Sequence, residues 1–185
     1  MSEQKSGKVA VLVENLYQEM EVCVPVYRLR EIGYEVQLVG PRVDTYKSKL
    51  GYPAPADVGV SQALTTPYDA VIIPGGYAPD LLRDNAEMVE LVRSAAERGA
   101  IVAAICHGSW MLASAGLLRG RRVTGASQIR DDLRNAGGEV IDQPVVRDDN
   151  LITSRKPADI PDFCAAIVEA LAEATADRPA RTRAA

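Results

Sequence analysis

Only one histidine and three cysteines occur among the 185 residues. Cys23, Cys106 and Cys164 are odd in number and far apart, so they neither make a disulfide framework nor show metal-ligand spacing. With His107 as the sole imidazole, a zinc site is not expected, and no metal or cofactor is called for. No run of about 18 apolar residues is present, and Met1-Ser2-Glu3-Gln4-Lys5 lacks the apolar stretch of a signal peptide. A cytoplasmic protein without membrane contact is therefore expected. Basic residues are outnumbered, 21 Lys and Arg against 25 Asp and Glu, which argues against nucleic acid or an anionic membrane as partner. The basic knot Arg119-Gly120-Arg121-Arg122 reads as a solvated turn. Internal repeats are lacking as well.

What remains is an ordinary globular composition, 47% hydrophobic and 25% charged, with enough chain for one sizeable core. Lys8–Val13 is a β-branched run with the look of a buried first strand. Val22, Pro25, Val26, Leu29 and Ile32 then recur at helical spacing up to Gly33, with Pro25 expected to start or kink the helix. Glu35–Val39 follows as a second strand, and strand, helix and strand within about thirty residues make a βαβ unit and hence a parallel sheet. Residues 41–67 are loop-like around Gly51–Asp57, with a short edge strand expected from Val58 to Leu64. Tyr68–Ile73 is a strand running into Pro74-Gly75-Gly76, and Tyr77–Asp80 leads into a helix over about Asn85–Arg98. Val123-Thr124 reads as a short strand, Ile129–Ala136 as a helix, and Val145–Arg147 with Leu151–Thr153 as a hairpin around Asp148-Asp149-Asn150. A last helix opens at Asp159 or Ile160. Residues 1–7 read as an N-terminal extension, 8–173 as one α/β domain and 174–185 as a disordered tail.

The chemistry concentrates at Ala103-Ala104-Ile105-Cys106-His107-Gly108-Ser109. A buried strand ending at Cys106 and a helix starting near Gly108 form a nucleophile elbow, with cysteine where G-x-S-x-G has serine. Free N–H groups at the helix start face whatever lies over the sulfur, and a helix N-terminus lowers a thiol pKa. A cysteine serving as a small hydrophobe at a strand end is the bland alternative. The adjoining histidine and the glycine after it favour the functional one. Gly75-Gly76 falls at the end of another parallel strand, where open α/β sheets bind ligands.

These motifs together resemble the ThiJ/PfpI superfamily. Its markers here are Glu21 before Pro25, Ile73-Pro74-Gly75-Gly76, Ala104-Ile105-Cys106-His107-Gly108, and Ile129-Arg130-Asp131-Asp132 before Ala136-Gly137. The likeness runs from about Lys8 to Leu171. It implies a single doubly wound, mostly parallel sheet sandwiched by helices, of flavodoxin-like or class I glutamine amidotransferase-like type. It implies Cys106 as nucleophile, Glu21 sharing a proton with it, and an oxyanion site at Gly75, Gly76 and the His107 N–H. In the PfpI-like branch an acidic residue of a neighbouring subunit orients the histidine, and Asp80 stands at that position. Its alternative is a plain helix N-terminal charge. A homo-oligomer with Asp80 acting across the interface is thus expected. A glutaminase of this fold needs a further histidine late in the chain, and none follows His107. Two positions depart from the branch: Gln18 replaces an acidic residue, and Thr124-Gly125-Ala126-Ser127 lacks an aromatic hydroxyl.

Three readings follow. The leading expectation is a PfpI-like cysteine hydrolase acting on peptide or amide bonds, with His107 protonating the leaving amine. Next comes a cofactor-free glyoxalase or protein deglycase, in which Cys106 forms a hemithioacetal with a methylglyoxal-type carbonyl. The third is a redox-sensing stress protein or chaperone that oxidises Cys106. A small molecule or a peptide is the expected substrate in the first two.

Overall fold

The computed structural model describes residues 7–176. Most of the expected extension, and the tail from 177 on, lie outside them. In chain order the elements are β1 (Lys8–Leu12), α1 (Glu19–Glu31), β2 (Glu35–Gly40), β3 (Thr45–Lys47), β4 (Pro53–Pro55), β5 (Val58–Gly59), α2 (Val60–Ala63), β6 (Ala70–Ile73) and α3 (Ala78–Arg83). They continue with α4 (Ala86–Glu97), β7 (Ile101–Ile105), α5 (Ser109–Ser114), β8 (Arg122–Val123), α6 (Arg130–Asn135), β9 (Glu139–Val140), β10 (Val145–Asp148), β11 (Leu151–Ser154) and α7 (Ile160–Ala176).

Seven strands form the central sheet in the order β10-β11-β7-β6-β1-β2-β5. Only the edge strand β10 is antiparallel. The fold is thus the expected mostly parallel sheet between helices. Val9, Val11 and Val13 pack on one face with Val22, Val26 and Leu29 of α1 and Phe163 and Ile167 of α7. Ala10 and Leu12 point the other way, into the cluster containing Leu91 and Val92 of α4 and Leu112 of α5. Both faces are covered, which is why β1 reads as an unbroken apolar run rather than an alternating one. From β1 the chain runs outward to β2 and β5, returns to β6, and then runs the other way to β7 and β11. The ends of β1, β6 and β7 therefore flank a topological switch point, the place where such sheets bind ligands.

Several local expectations are corrected. Only Val58–Gly59 extends the sheet; the rest of the expected edge strand is α2, because Val60 and Ala63 are buried and Ser61 and Gln62 exposed, a helical rather than an alternating pattern. The loop region hides the antiparallel pair β3 and β4, whose prolines at Pro53 and Pro55 mask it. Tyr77–Asp80 does not merely lead into a helix, since Ala78–Arg83 is one, with Pro79 in its first turn. Helix α1 begins ahead of Pro25 and continues through it; Gln18 caps it, accepting from the Met20 N–H at 2.7 Å. Val123 pairs with Val140 in a separate two-stranded unit, β8 with β9. Helix α7 runs to Ala176, past the expected start of the tail at 174. The knot at Arg119–Arg122 is the expected solvated turn, with Arg119, Gly120 and Arg122 exposed, except that Arg121 is half-buried and forms a salt bridge of 3.2 Å with Asp148 on the hairpin.

Gly108 shows how closely the elbow is set on the sheet. A Cβ there would stand 2.4 Å from the Ile73 carbonyl oxygen and 3.1 Å from that of Pro74, both rigid backbone atoms at the end of β6. Gly108→Ala must push α5 away from β6. It is expected to cost about 2–3 kcal/mol, as overpacking does, and to slow Cys106 alkylation. Urea unfolding and iodoacetamide kinetics check both, and a variant as stable as the parent would contradict the close contact.

Candidate active site

Cys106 follows β7 directly and has φ +61°, left-handed backbone that a side chain adopts only under constraint. It heads a single 3-10 turn, Cys106–Gly108, which passes into α5. This is the expected elbow. The sulfur is partly buried and touches both core clusters, so it sits where the two sides of the sheet meet.

Two other segments converge on it. From α1 comes Glu21, fully buried, whose Oε2 accepts the Gly75 N–H at 2.6 Å. Its Oε1 has no hydrogen-bond partner by distance and angle, although the carboxyl as a whole lies close enough to the Cys106 thiol to interact with it. From the end of β6 come Gly75 and Gly76. A Cβ on Gly75 would lie 2.7 Å from both the Cys106 Cβ and Glu21 Oε2, so only glycine lets the three segments meet. Gly76 and His107 both direct backbone N–H groups at the sulfur, the pair expected to hold an oxyanion. Gly75 does not join them, because its N–H is spent on Glu21. His107 Nδ1 lies 3.3 Å from Sγ, and its ring packs edge-on against Trp110 with centroids 5.1 Å apart.

Burial decides the ionisation of this group. It pushes the Glu21 carboxyl up to about 7, against the opposing pull of the Gly75 N–H. Burial first, and then the neighbouring Glu21 charge, push the thiol up as well, the reverse of the lowering expected from a helix N-terminus. The helix is too short and the sulfur too enclosed for the two N–H groups to win. Glu21 and Cys106 therefore titrate as a pair. When Glu21 holds the proton, the charge that opposes the thiolate is gone, so one proton shared by the pair is compatible with an anionic sulfur. Burial also holds His107 below its usual range, so the ring is neutral at pH 7.

Asp80 is not brought to His107 within the chain. It lies half-buried on α3, and among the described residues its carboxylate makes no hydrogen bond or salt bridge. Gln18 donates its N–H to the Gly75 carbonyl at 3.2 Å and so supports the loop rather than the thiol. Ala126 is buried and lines a cleft of about 500 Å³ together with Cys106 and His107. Sequence reasoning assigned no role to Arg130, Asp142, Arg155 and Lys156, which line the same cleft. The signal for the last two was their position after β11: Ser154 pairs in parallel with Ile105, so Arg155 and Lys156 leave the sheet at the level of Cys106. Among the described residues no His, Cys, Asp and Glu group is arranged to hold a metal ion, and no helix is long and apolar enough to cross a membrane.

Comparison with known proteins agrees with this fold. A family model described as the DJ-1/PfpI family matches residues 7–170. Deglycase PfpI of Pyrococcus furiosus is 39% identical over 153 residues, 83% of this chain and 92% of that protein. Protein/nucleic acid deglycase 2 of Escherichia coli is 38% identical over 161 residues, covering 85% and 94% respectively. The crystal structure of Drosophila melanogaster DJ-1beta superposes with a TM-score of 0.85 at 29% identity, covering 90% of this chain and 91% of that one.

Proposed function

We propose that this chain, which belongs to the DJ-1/PfpI family, is a cysteine-dependent deglycase of the glyoxalase type, acting on methylglyoxal-type carbonyls and their amine adducts. The observation that carries the reading is the buried Glu21 carboxyl, raised to about 7, against the Cys106 thiol. A group titrating there both gives and takes a proton near neutrality, which carbonyl isomerisation requires. The relatives named as deglycases support the same reading.

In the proposed reaction the thiolate adds to the aldehyde carbon of methylglyoxal, and the oxygen of the new hemithioacetal is held by the Gly76 and His107 N–H groups. Glu21 or His107 removes the hydrogen on that carbon, and a proton is returned to the neighbouring carbon. The product is a thioester of lactate. Water cleaves it, releasing lactate and restoring the thiol. For an amine adduct, the amine leaves before or as sulfur adds, so one adduct and one water give one amine and one lactate.

This reading now stands ahead of the peptide hydrolase expected from the sequence. The thiol, the N–H pair and the imidazole would serve either chemistry, and the relatives named as deglycases favour carbonyl chemistry. A redox sensor would use the thiol and Glu21 but would leave the N–H pair without a task. The test is lactate and free amine released from methylglyoxal and from its adduct with N-acetylarginine. Equimolar release supports the proposal. Absence of lactate, with cleavage of a fluorogenic peptide library, would return the hydrolase to first place.

For Asp80 we propose a role in a second copy, where it orients His107. Exposed apolar side chains support self-association: Met20, Val24 and Tyr27 lie along α1, and Tyr77 and Leu81 flank Asp80 itself. Asp80→Asn is expected to lower kcat about tenfold or more, within the range for acid–base assistance, while light scattering gives an unchanged assembly. A fully active monomer would overturn this assignment.

A further inference from the structure

The chain is acidic overall, with a net charge of −4, yet the cleft over Cys106 is basic. Its charged lining consists of Arg130, Arg155 and Lys156 against the single carboxylate of Asp142. That carboxylate sits in a fork: Oδ1 accepts from Arg130 Nη2 at 2.7 Å and from Arg155 Nη1 at 2.8 Å, and Oδ2 from Arg130 Nη1 at 3.0 Å. Arg155 turns its remaining donors, Nε and Nη2, to the buried Asp159 at 3.0 and 3.2 Å. Two carboxylates thus face three cations. The excess charge belongs to Lys156, which is exposed and enters no salt bridge among the described residues. The fork itself is not saturated, since Arg130 Nε is buried and has no hydrogen-bond partner. Lys49, also in no salt bridge among the described residues, adds positive potential at Glu21 and His107.

We propose that this wall selects carbonyl compounds bearing a carboxylate, which binds at Lys156 with the Arg130 and Arg155 guanidiniums behind it. The proposal rests on the reading of Cys106 as the reacting thiol. Asp142 is the model for the ligand: two guanidiniums already hold one carboxylate in forked geometry, the arrangement arginine favours. Its side chain is 59% exposed, on the segment between β9 and β10, so it acts as an internal competitor that an incoming carboxylate displaces or joins. The substrates that fit are dicarbonyl adducts of free amino acids and of chain-terminal residues with a free carboxylate. Neutral adducts within a polypeptide gain nothing from this wall.

Two alkylating agents of nearly equal size test the proposal without requiring turnover. Iodoacetate and iodoacetamide both react by attack of the sulfur lone pair on the methylene carbon, forming a C–S bond as iodide leaves, and they differ by one negative charge. The Cys106 rate constant for each is measured by mass spectrometry of the labelled peptide. The ratio of iodoacetate to iodoacetamide rates cancels thiol ionisation, and dividing it by the same ratio for N-acetylcysteinamide cancels the reagents' intrinsic difference in reactivity. We expect the normalised ratio to exceed one by about tenfold, the lower end of what a charged cleft does to a counter-ion's rate, and to fall as salt is raised. Lys156→Met should return it to near one, and Asp142→Asn, which removes the competitor, should raise it. A normalised ratio of one or less in the parent protein, or one indifferent to Lys156→Met, would overturn the carboxylate site. A protein that passes this test and forms no lactate would retain the anion site and lose the deglycase reading.

Discussion

Cys106→Ser is expected to remove lactate formation by about a thousandfold or more, while the protein still folds. Serine differs from cysteine here in one respect that matters, the acidity of its nucleophile. A hydroxyl in this position needs a strong neighbouring base, and the site offers only weak ones. His107 is held below its ordinary pKa and Glu21 titrates near 7. Neither can take a hydroxyl proton at useful frequency, whereas a thiol, even raised by burial, remains a far stronger acid than a hydroxyl in the same place. The backbone at φ +61° is imposed by β7, by the 3-10 turn and by Gly108, not by the sulfur. The thermal midpoint should therefore shift by no more than a few degrees. Lactate assays and a thermal melt on one preparation check both halves. Retention of more than a tenth of the activity would remove Cys106 from the reaction.

Glu21→Leu should inactivate the enzyme and stabilise it. A carboxyl raised from 4.5 to about 7 is one whose charged form the fold disfavours. Between those two pH values the unfolded chain releases the proton and the native chain keeps it. Stability then falls as pH rises through this window, by up to roughly 3 kcal/mol above pH 7, taking 1.36 kcal/mol per pKa unit. Leucine has no such penalty, apart from the Gly75 N–H that it leaves without its acceptor. The melting temperature of the variant should exceed that of the parent by a margin that widens from pH 4.5 to 7 and then levels. Activity should move the opposite way. In the parent, the Glu21 charge that appears as pH rises through about 7 opposes the thiolate, so thiol reactivity should rise only at alkaline pH. In the variant the opposing Glu21 charge is gone, so the alkylation midpoint moves acid of the parent's, while lactate formation at pH 7 drops about a hundredfold for want of the proton carrier, within the range for acid–base assistance. Iodoacetamide labelling from pH 5 to 10 reads this. A profile identical to the parent's would exclude Glu21 from controlling the thiol.

The elbow was legible because its signals are local: an apolar strand, one thiol and a glycine within four residues. The helix over Ala86–Glu97 and the hairpin at Asp148–Asn150 were legible for the same reason, and Asp149 takes the left-handed backbone its turn requires, at φ +56°. Helix α2 and the β3–β4 pair were missed because a four-residue helix and two proline-bearing strands carry too few periods to register. Glu21 and Asp80 entered only through the family pattern, since nothing in the local sequence distinguishes them from solvated acids. Tertiary packing then treats the two in opposite ways, enclosing Glu21 completely and leaving Asp80 half-exposed.

By itself the sequence determined most strands of the central sheet and the longer helices, that they alternate into a parallel sheet, and where a cysteine leaves that sheet at a turn. These follow from spacing along the chain, over distances of a few residues. Only the tertiary structure decided that Glu21 and Gly75, 54 positions apart, share a hydrogen bond beside that cysteine. It also decided that Arg130, Asp142 and Arg155 close one wall of the cleft above it. The direction of the thiol's shift belongs to the same class, because desolvation is set by everything packed around a group. A helix N-terminus is visible in sequence, but the exclusion of water that outweighs it here is not.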